Sequence, residues 1–353
     1  MTTIETVVAE ASPEPVDLRD RAALVALIQT GALSQAVRVA AELKLADLLA
    51  AGPKPAAELA QATETDLPSL RRLLRALASL GCCAETEDGA FALTPRGALL
   101  RSHAADSLRS WILWSCKYQW PVWEDLLHSV KTGESARNRI TGTDGFGHLV
   151  RDPEAAVVFN DAMVEVTRLI ADEVVRNYDF SKARRIVDVG GGFGALLAAV
   201  LHANPGVHGV LFDLPHAIEG ARTQLARSSL AQRCDLVAGD FFQSIPGGAD
   251  VYLLKSIIHD WDDERSAVIL ANCRRALAAD GRVLLVERLM PERMDASPYH
   301  RATAWSDLAM LIGSGGRERT EREFNALFEA ARLRMARVIP TSLDYFILEA
   351  LPR

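Results

Sequence analysis

From Arg184 onward one plan recurs along the chain: a short apolar run, a turn, and a helical stretch. "RRIVDVGGGFGALLAAVLHANP" supplies a buried strand, a glycine-rich turn and a helix that Asn204-Pro205 ends. "GVHGVLFDLPHAIEGAR" repeats it, and "CDLVAGDFFQSIPGGADVYLLKS" and "DGRVLLVERLMP" carry it further. Such alternation predicts an α/β unit with a mostly parallel sheet and ligands at the carboxyl ends of its strands. The last two apolar runs, "RMARVIPTS" and "LDYFILEAL", lie too close together for a helical crossover and predict an antiparallel hairpin.

The first third of the chain has another period. From Leu24 to about Leu100, apolar residues recur three and four apart in "ALSQAVRVAAELKLADLLA" and "LPSLRRLLRALASLG". "GCCAETEDGAFALTPRGALL" then reads as two short strands around Asp88-Gly89. Three helices and a hairpin resemble a winged helix, a module that often binds DNA. Arg71, Arg72 and Arg75 lie on its would-be recognition helix, but little else would clamp phosphates and the wing carries acids. A dimerisation or lid role is the better reading, with a winged-helix regulator as a rival. The expected organisation is a disordered tail over 1–20, a winged-helix-like dimerisation domain over 21–105, a helical linker and pocket segment over 106–180, and a catalytic domain over 181–353.

Composition limits the partners. The chain has 353 residues, 49% of them hydrophobic, and a net charge of -7, which gives no general attraction for nucleic acid or an anionic membrane. The start lacks the pattern of a secretory signal, and no apolar stretch is expected to reach membrane-spanning length. A cytoplasmic protein is expected. Its five cysteines are odd in number and scattered, which suits buried free thiols better than disulfides or zinc.

Four tryptophans, Trp111, Trp114, Trp120 and Trp123, crowd into "SWILWSCKYQWPVWEDLLHSV". They fill a core or dimer interface, or some of them wall a pocket for a flat substrate. "DPEAAVVFNDAMVEVTRLIADEVVRNYDF" follows as a long amphipathic helix starting at Asp152 or Pro153.

The glycine turn is ambiguous alone. Gly190, Gly192 and Ala195 fit a dinucleotide fingerprint, while Gly190, Gly192 and Gly194 fit the loop of S-adenosylmethionine enzymes. Asp213, ending the next strand, can accept from two ribose hydroxyls in either cofactor. Later motifs break the tie. "VDVGGGFG", "FDLPHAI", "GDFF", "LLKSIIHDWDDE", "GRVLLVER" and "GGRERTEREFNALF" occur in that order, and "GALSQAVRVAAELKLADLL" and "FALTPRGALL" precede them. In these the chain resembles the small-molecule O-methyltransferases of the plant caffeate, hydroxyindole and bacterial anthracycline type, over all but the first twenty or so residues.

The resemblance implies a Rossmann-like class I methyltransferase with a mostly parallel seven-stranded sheet and an antiparallel terminal hairpin. It also implies S-adenosyl-L-methionine as methyl donor, S-adenosyl-L-homocysteine as product, and an intertwined homodimer built by the N-terminal domain. Gly190 would approach the methionyl end of the donor, Asp213 would bind the ribose, Asp240 and Phe241 the adenine, and Lys255 and Trp261 would lie against the cofactor. His259 would deprotonate the acceptor hydroxyl, with Glu287 and Glu318 flanking and orienting it.

Chemistry makes those roles reasonable without the family. A phenol has a pKa near 10, so a base whose own value lies near 7 helps to make the nucleophile. His259 is such a base, standing just past a strand end, and Glu287 leaves the end of the next strand. The displacement is in line and needs no metal. The acceptor pocket for a small aromatic substrate is expected to draw on Phe159, Met163, Trp305, Asp307 and Met310, with Asp307 taking a second polar group. The acceptor's identity is not legible. Relatives that use the same cofactor for hydroxylation, decarboxylation or pericyclic rearrangement are a second rival, against which the retained His259, Glu287 and Glu318 argue.

Overall fold

The computed structural model describes residues 17–225 and 228–353. Most of the expected tail therefore lies outside the described residues. The rest of it is helical: the Asp17 carboxylate accepts from the Arg19 amide and caps a helix that begins at Leu18. The chain divides after Ala98 into two compact units.

In the N-terminal unit, α1 (Leu18–Glu42), α2 (Leu45–Leu49), α3 (Ala56–Ala62), α4 (Leu67–Ser79) and α5 (Pro95–Ala98) accompany β1 (Lys54–Pro55), β2 (Cys83–Glu85) and β3 (Ala90–Leu93). The strands form one antiparallel sheet in the order β1-β3-β2. Asp66 caps α4 by accepting from the Ser69 amide, and Leu70, Leu74 and Leu77 form its buried stripe. Arg71, Arg72 and Arg75 fall on the exposed face, and Arg75 lies 4.0 Å from Glu85 of the wing. Helices and hairpin thus follow the winged-helix plan.

One expectation fails in this unit. α1 is long and apolar enough to cross a membrane, with a mean hydropathy of 1.3 over eighteen residues. Gln29, Thr30, Ser34 and Gln35 interrupt its apolar runs, so no uninterrupted stretch stands out, yet Ala, Leu and Val raise the average. Leu18, Leu24, Val25, Leu27 and Ile28 are all more than half exposed.

The second unit opens with short helices, α6 (Arg109–Leu113), a π-helical turn over Trp114–Tyr118, α7 (Trp120–Glu124), α8 (Leu126–Thr132), α9 (Ala136–Thr141) and α10 (Gly147–Arg151), and then the long α11 (Pro153–Asn177). Asp152 caps α11, and Pro153 takes its first position, where no amide is needed. The buried Glu165 of α11 accepts from the amides of Ser110 and Trp111, closing the start of α6 onto it. The tryptophan-rich segment thus belongs to the compact α/β unit.

The α/β part runs β4 (Arg185–Val189), α12 (Ala195–Ala203), β5 (His208–Asp213), α13 (Pro215–Leu225), β6 (Cys234–Ala238), β7 (Ala249–Lys255), α14 (Asp263–Ala276), β8 (Leu277–Glu287), α15 (Pro298–Ile312), α16 (Glu321–Ala330), β9 (Leu333–Pro340) and β10 (Phe346–Pro352). The seven-stranded sheet has the order β6-β5-β4-β7-β8-β10-β9. β6 to β8 are parallel, whereas β10 pairs antiparallel with both β8 and β9. Both faces of the sheet are covered: one core joins Val174, Leu197, Ile218 and Leu284, the other Val187, Leu270, Leu285 and Phe324. Successive strands run outward from β4 in opposite directions, so the carboxyl ends of β4 and β7 flank a topological switch point.

Candidate active site

Three loops meet at that switch point. The first leaves β4 through Gly190, Gly192 and Gly194, all with positive φ. At Gly190, φ is +70° and a Cβ would lie 2.5 Å from Ile257 Cδ1, so both backbone shape and close approach require glycine. The Asp213 carboxylate pins this turn, accepting from the Gly192 amide at 2.7 Å and from Leu214 at 2.6 Å. Burial raises the pKa of Asp213. Asp188, one strand inward, is almost fully buried with Oδ2 unpartnered; burial and then the Asp213 charge push it up to about 7.

The second group lies after β6. Asp240 accepts from the Phe242 amide at 2.8 Å and from Gln243 Nε2 at 3.3 Å. Phe241, Phe242 and Trp261 form an edge-to-face cluster with centroids 4.8 to 6.1 Å apart. The buried Asn272 donates to the carbonyls of Phe241 and Phe242 and fixes their backbone. Lys255, ending β7, donates to Thr167 of α11 at 3.2 Å, and burial pulls its ammonium down to about 8.

The third group surrounds His259. After β7 the chain turns through Ser256, at φ +54°, into a 3-10 turn over Ile258–Asp260. Glu287, fully buried at the end of β8, accepts from the amides of Ile257 and Ile258 at 3.1 and 2.9 Å. That leaves Glu287 Oε2 without a hydrogen bond, 3.7 Å from His259 Nδ1. Glu318 Oε1 lies 3.0 Å from the same Nδ1 and also accepts from the Ser306 hydroxyl at 2.6 Å. Nδ1 therefore faces two carboxylates, a setting that favours its proton there and leaves Nε2 as the acceptor nitrogen. Burial alone would push the imidazole down, but Glu287, Glu318 and Asp260 outweigh it and hold His259 well above its ordinary range. Burial raises Glu287, which the His259 charge opposes; at Glu318 the His259 charge and hydrogen bond overcome burial and lower it. His259, Glu287 and Glu318 offer ligand atoms within 4.8 Å of one another, which is also close enough for a cation.

Beyond these lies an aromatic layer. Trp305 meets Trp111 at 5.9 Å and Trp123 at 6.4 Å, while the buried Trp114 meets Phe159 at 4.9 Å. Met163 packs in the Trp114 cluster, one turn before Thr167, which holds Lys255. Met310 reaches Ser314. Of the four crowded tryptophans, Trp114 is buried in the core and Trp120 is exposed, while Trp305, from α15, is also exposed. Asp307 Oδ1 accepts from the Glu318 amide at 2.8 Å and thereby sets the acid beside His259.

Sequence reading missed Arg319. It is wholly buried and donates to the carbonyls of Ile258 and Trp261 and to Asp263, so it locks the turn that presents His259. In sequence it looked like one more charge in a polar loop. Ser306 was missed for a similar reason: a lone serine on a helix carries no pattern.

Two family descriptions match the chain. Residues 123–334 match the family described as O-methyltransferase domain, and residues 25–102 match the O-methyltransferase dimerisation domain. Phenazine O-methyltransferase PhzM of Lysobacter antibioticus is 45% identical over 320 residues, covering 91% of this chain and 93% of that protein. The crystal structure of LaPhzM superposes with a TM-score of 0.90 at 43% identity, over 96% of this chain and 100% of that one. NcsB1, an O-methyltransferase from neocarzinostatin biosynthesis, was solved with S-adenosylmethionine and 2-hydroxy-5-methyl naphthoic acid; it is 33% identical with a TM-score of 0.76, over 91% of this chain and 96% of that one.

Proposed function

The chain belongs to the O-methyltransferase family and carries that family's dimerisation domain; from that premise we propose that His259 is the general base for methylation of a phenolic hydroxyl on a small aromatic or polyketide-like metabolite. The donor is S-adenosyl-L-methionine and the co-product S-adenosyl-L-homocysteine. The observation that carries the reading is the His259 ring between Glu287 and Glu318 at the carboxyl end of β7, beside the glycine turn.

The residues present fit the donor. A Cβ at Gly190 would lie 2.5 Å from Ile257 Cδ1 and 3.6 Å from Phe241, so the bare glycine lets these side chains pack against the turn that would carry the donor. Asp213 keeps free lone pairs beyond its two amide bonds and can accept from ribose hydroxyls. Asp240 can accept from the adenine amino group, with Phe241 and Trp261 as apolar neighbours of the ring, and Lys255 with the orphaned Asp188 oxygen suit the zwitterionic tail. When bound, the donor supplies an electrophilic methyl on a positively charged sulfur. The protein's part is to align the acceptor oxygen and to take its proton on His259 Nε2, while Glu318 stabilises the imidazolium through Nδ1 and Glu287 through its charge. The acids hold His259 high and so favour its protonated form, and a positive charge nearby offsets them and favours the neutral base. A sulfonium is such a charge. Phe159, Met163, Trp305 and Met310 would border the acceptor, and Asp307 acts through Glu318.

A homodimer formed through the N-terminal unit goes with this reading, supported by the family match and the exposed apolar side of α1. Five cysteines without a disulfide suit a reducing cytoplasm. No metal is needed, because the His259 Nδ1 proton, bonded to Glu318 and facing Glu287, takes the place between the acids that a cation would fill. Chelator treatment is expected to leave activity unchanged, and loss that zinc or magnesium restores would contradict it.

The test is a mass-resolved assay with S-adenosylmethionine and a panel of phenols, hydroxyindoles and aromatic polyketides. A product bearing one methyl in place of one hydrogen, formed with S-adenosylhomocysteine, is expected. A hydroxylated, decarboxylated or rearranged product with the donor unconsumed would overturn it.

A further inference from the structure

Arg137 is buried to 5% exposure, yet no acid lies within ion-pair distance of it among the described residues. Its one hydrogen bond there runs from Nη1 to His148 Nε2 at 3.1 Å, and its guanidinium sits 5.1 Å from the centre of the Trp114 ring. A guanidinium has five N–H donors and no acceptor, so His148 Nε2 must accept and the imidazole is neutral. Burial, then the Arg137 charge, hold His148 down to about 4, and burial pulls Arg137 itself down to about 10. The pair therefore carries one uncompensated positive charge and most of its donors are unspent.

A desolvated charge without a partner costs several kcal/mol, so it persists where something is gained. Asp188 keeps one unpartnered oxygen, but other buried charged side chains of this unit have partners. Arg319 meets Asp263, Glu349 meets Arg282 and Arg337, and Glu165 holds two amides. Arg137 also stands in the layer that borders the candidate site. Two residues before it, Ser135 donates to the carbonyls of Ile312 and Gly313, and four residues after Gly313 the Arg317 amide donates to the His259 carbonyl at 2.8 Å. Three residues before His148, a Cβ on Gly145 would lie 3.6 Å from Trp261. The Trp114 ring under the guanidinium packs on Phe159.

We propose that Arg137, with neutral His148 behind it, is a specificity residue that binds a carboxylate on the aromatic acceptor. A carboxylate matches the site in charge, one negative for one positive, and in shape, since the planar fork accepts it with two parallel hydrogen bonds. Phe159, partly buried beside Trp114, offers a ring for the arene that bears it. This rests on the acceptor being aromatic, as proposed above.

The test measures binding of 3-hydroxy-2-naphthoate and its methyl ester to the full-length protein saturated with S-adenosylhomocysteine, for wild type, Arg137→Met and Arg137→Lys. Wild type is expected to favour the acid by roughly 10–100-fold, the range for a charged hydrogen-bonded pair. Arg137→Met should erase that preference and keep ester affinity within about threefold, and Arg137→Lys should keep part of it. Equal binding of acid and ester by wild type, binding of neither, or a preference that survives in Arg137→Met would overturn the assignment. So would equal loss of both ligands in Arg137→Met, which marks a packing role. Product mass is read in parallel: acid preference without methyl transfer would keep this site and sink the methyltransfer reading, whereas methyl transfer without acid preference would sink only this site.

Discussion

Glu287 and Glu318 act on one nitrogen of His259 but by different routes: Glu318 hydrogen-bonds Nδ1, while Glu287, 3.7 Å away, acts through charge and through its grip on the Ile257 and Ile258 amides. Because the acids raise the His259 pKa, the free enzyme loses base function as pH falls through that raised value. The acid limb of kcat/KM is therefore expected above 6.5, the imidazole's ordinary value. Glu287→Gln keeps an oxygen for both amides and removes one raising charge, so the limb should move to lower pH. An unmoved limb would mean that Glu287 only supports the backbone. His259 was legible because its motif is contiguous; Arg137 was not, because nothing in "SARNRI" says that one of its two arginines is buried against a tryptophan.

At the scale of elements, the turns around the site are set by backbone demands that a sequence reveals unevenly. The glycine turn is written in its glycines. A methyl at Gly190 meets Ile257 and forces a left-handed residue costing about 1–2 kcal/mol, so Gly190→Ala should weaken S-adenosylhomocysteine binding at least about tenfold by titration. Affinity equal to wild type would remove the Gly190 turn from the account. The 3-10 turn at His259 is held instead by Arg319, a residue sixty positions later. Its replacement by Met removes its bonds to two carbonyls and leaves Asp263 without its buried partner, and should cost about 2–4 kcal/mol of stability in a denaturant titration, with kcat falling more than donor affinity. The alternating strands and the final hairpin were legible from apolar period and loop length, and the membrane-length character of α1 was not, since scattered polar residues hid it.

For the molecule as a whole, one exposed stripe remains to be covered. Leu24, Leu27 and Ile28 lie three and four apart on one side of α1, within or beside the stretch that matches the dimerisation domain. Replacing Leu27 and Ile28 by Asp should give a monomer by light scattering, with donor affinity in the catalytic unit preserved; a persistent dimer would move the interface elsewhere. The central claim is that His259 takes the acceptor's proton, and the direct measurement is single-turnover methyl transfer by His259→Ala with donor affinity determined alongside. The account predicts donor affinity within a few fold of wild type and a rate lower by roughly a hundredfold or more. An unchanged rate would contradict it and leave alignment alone as the means of catalysis.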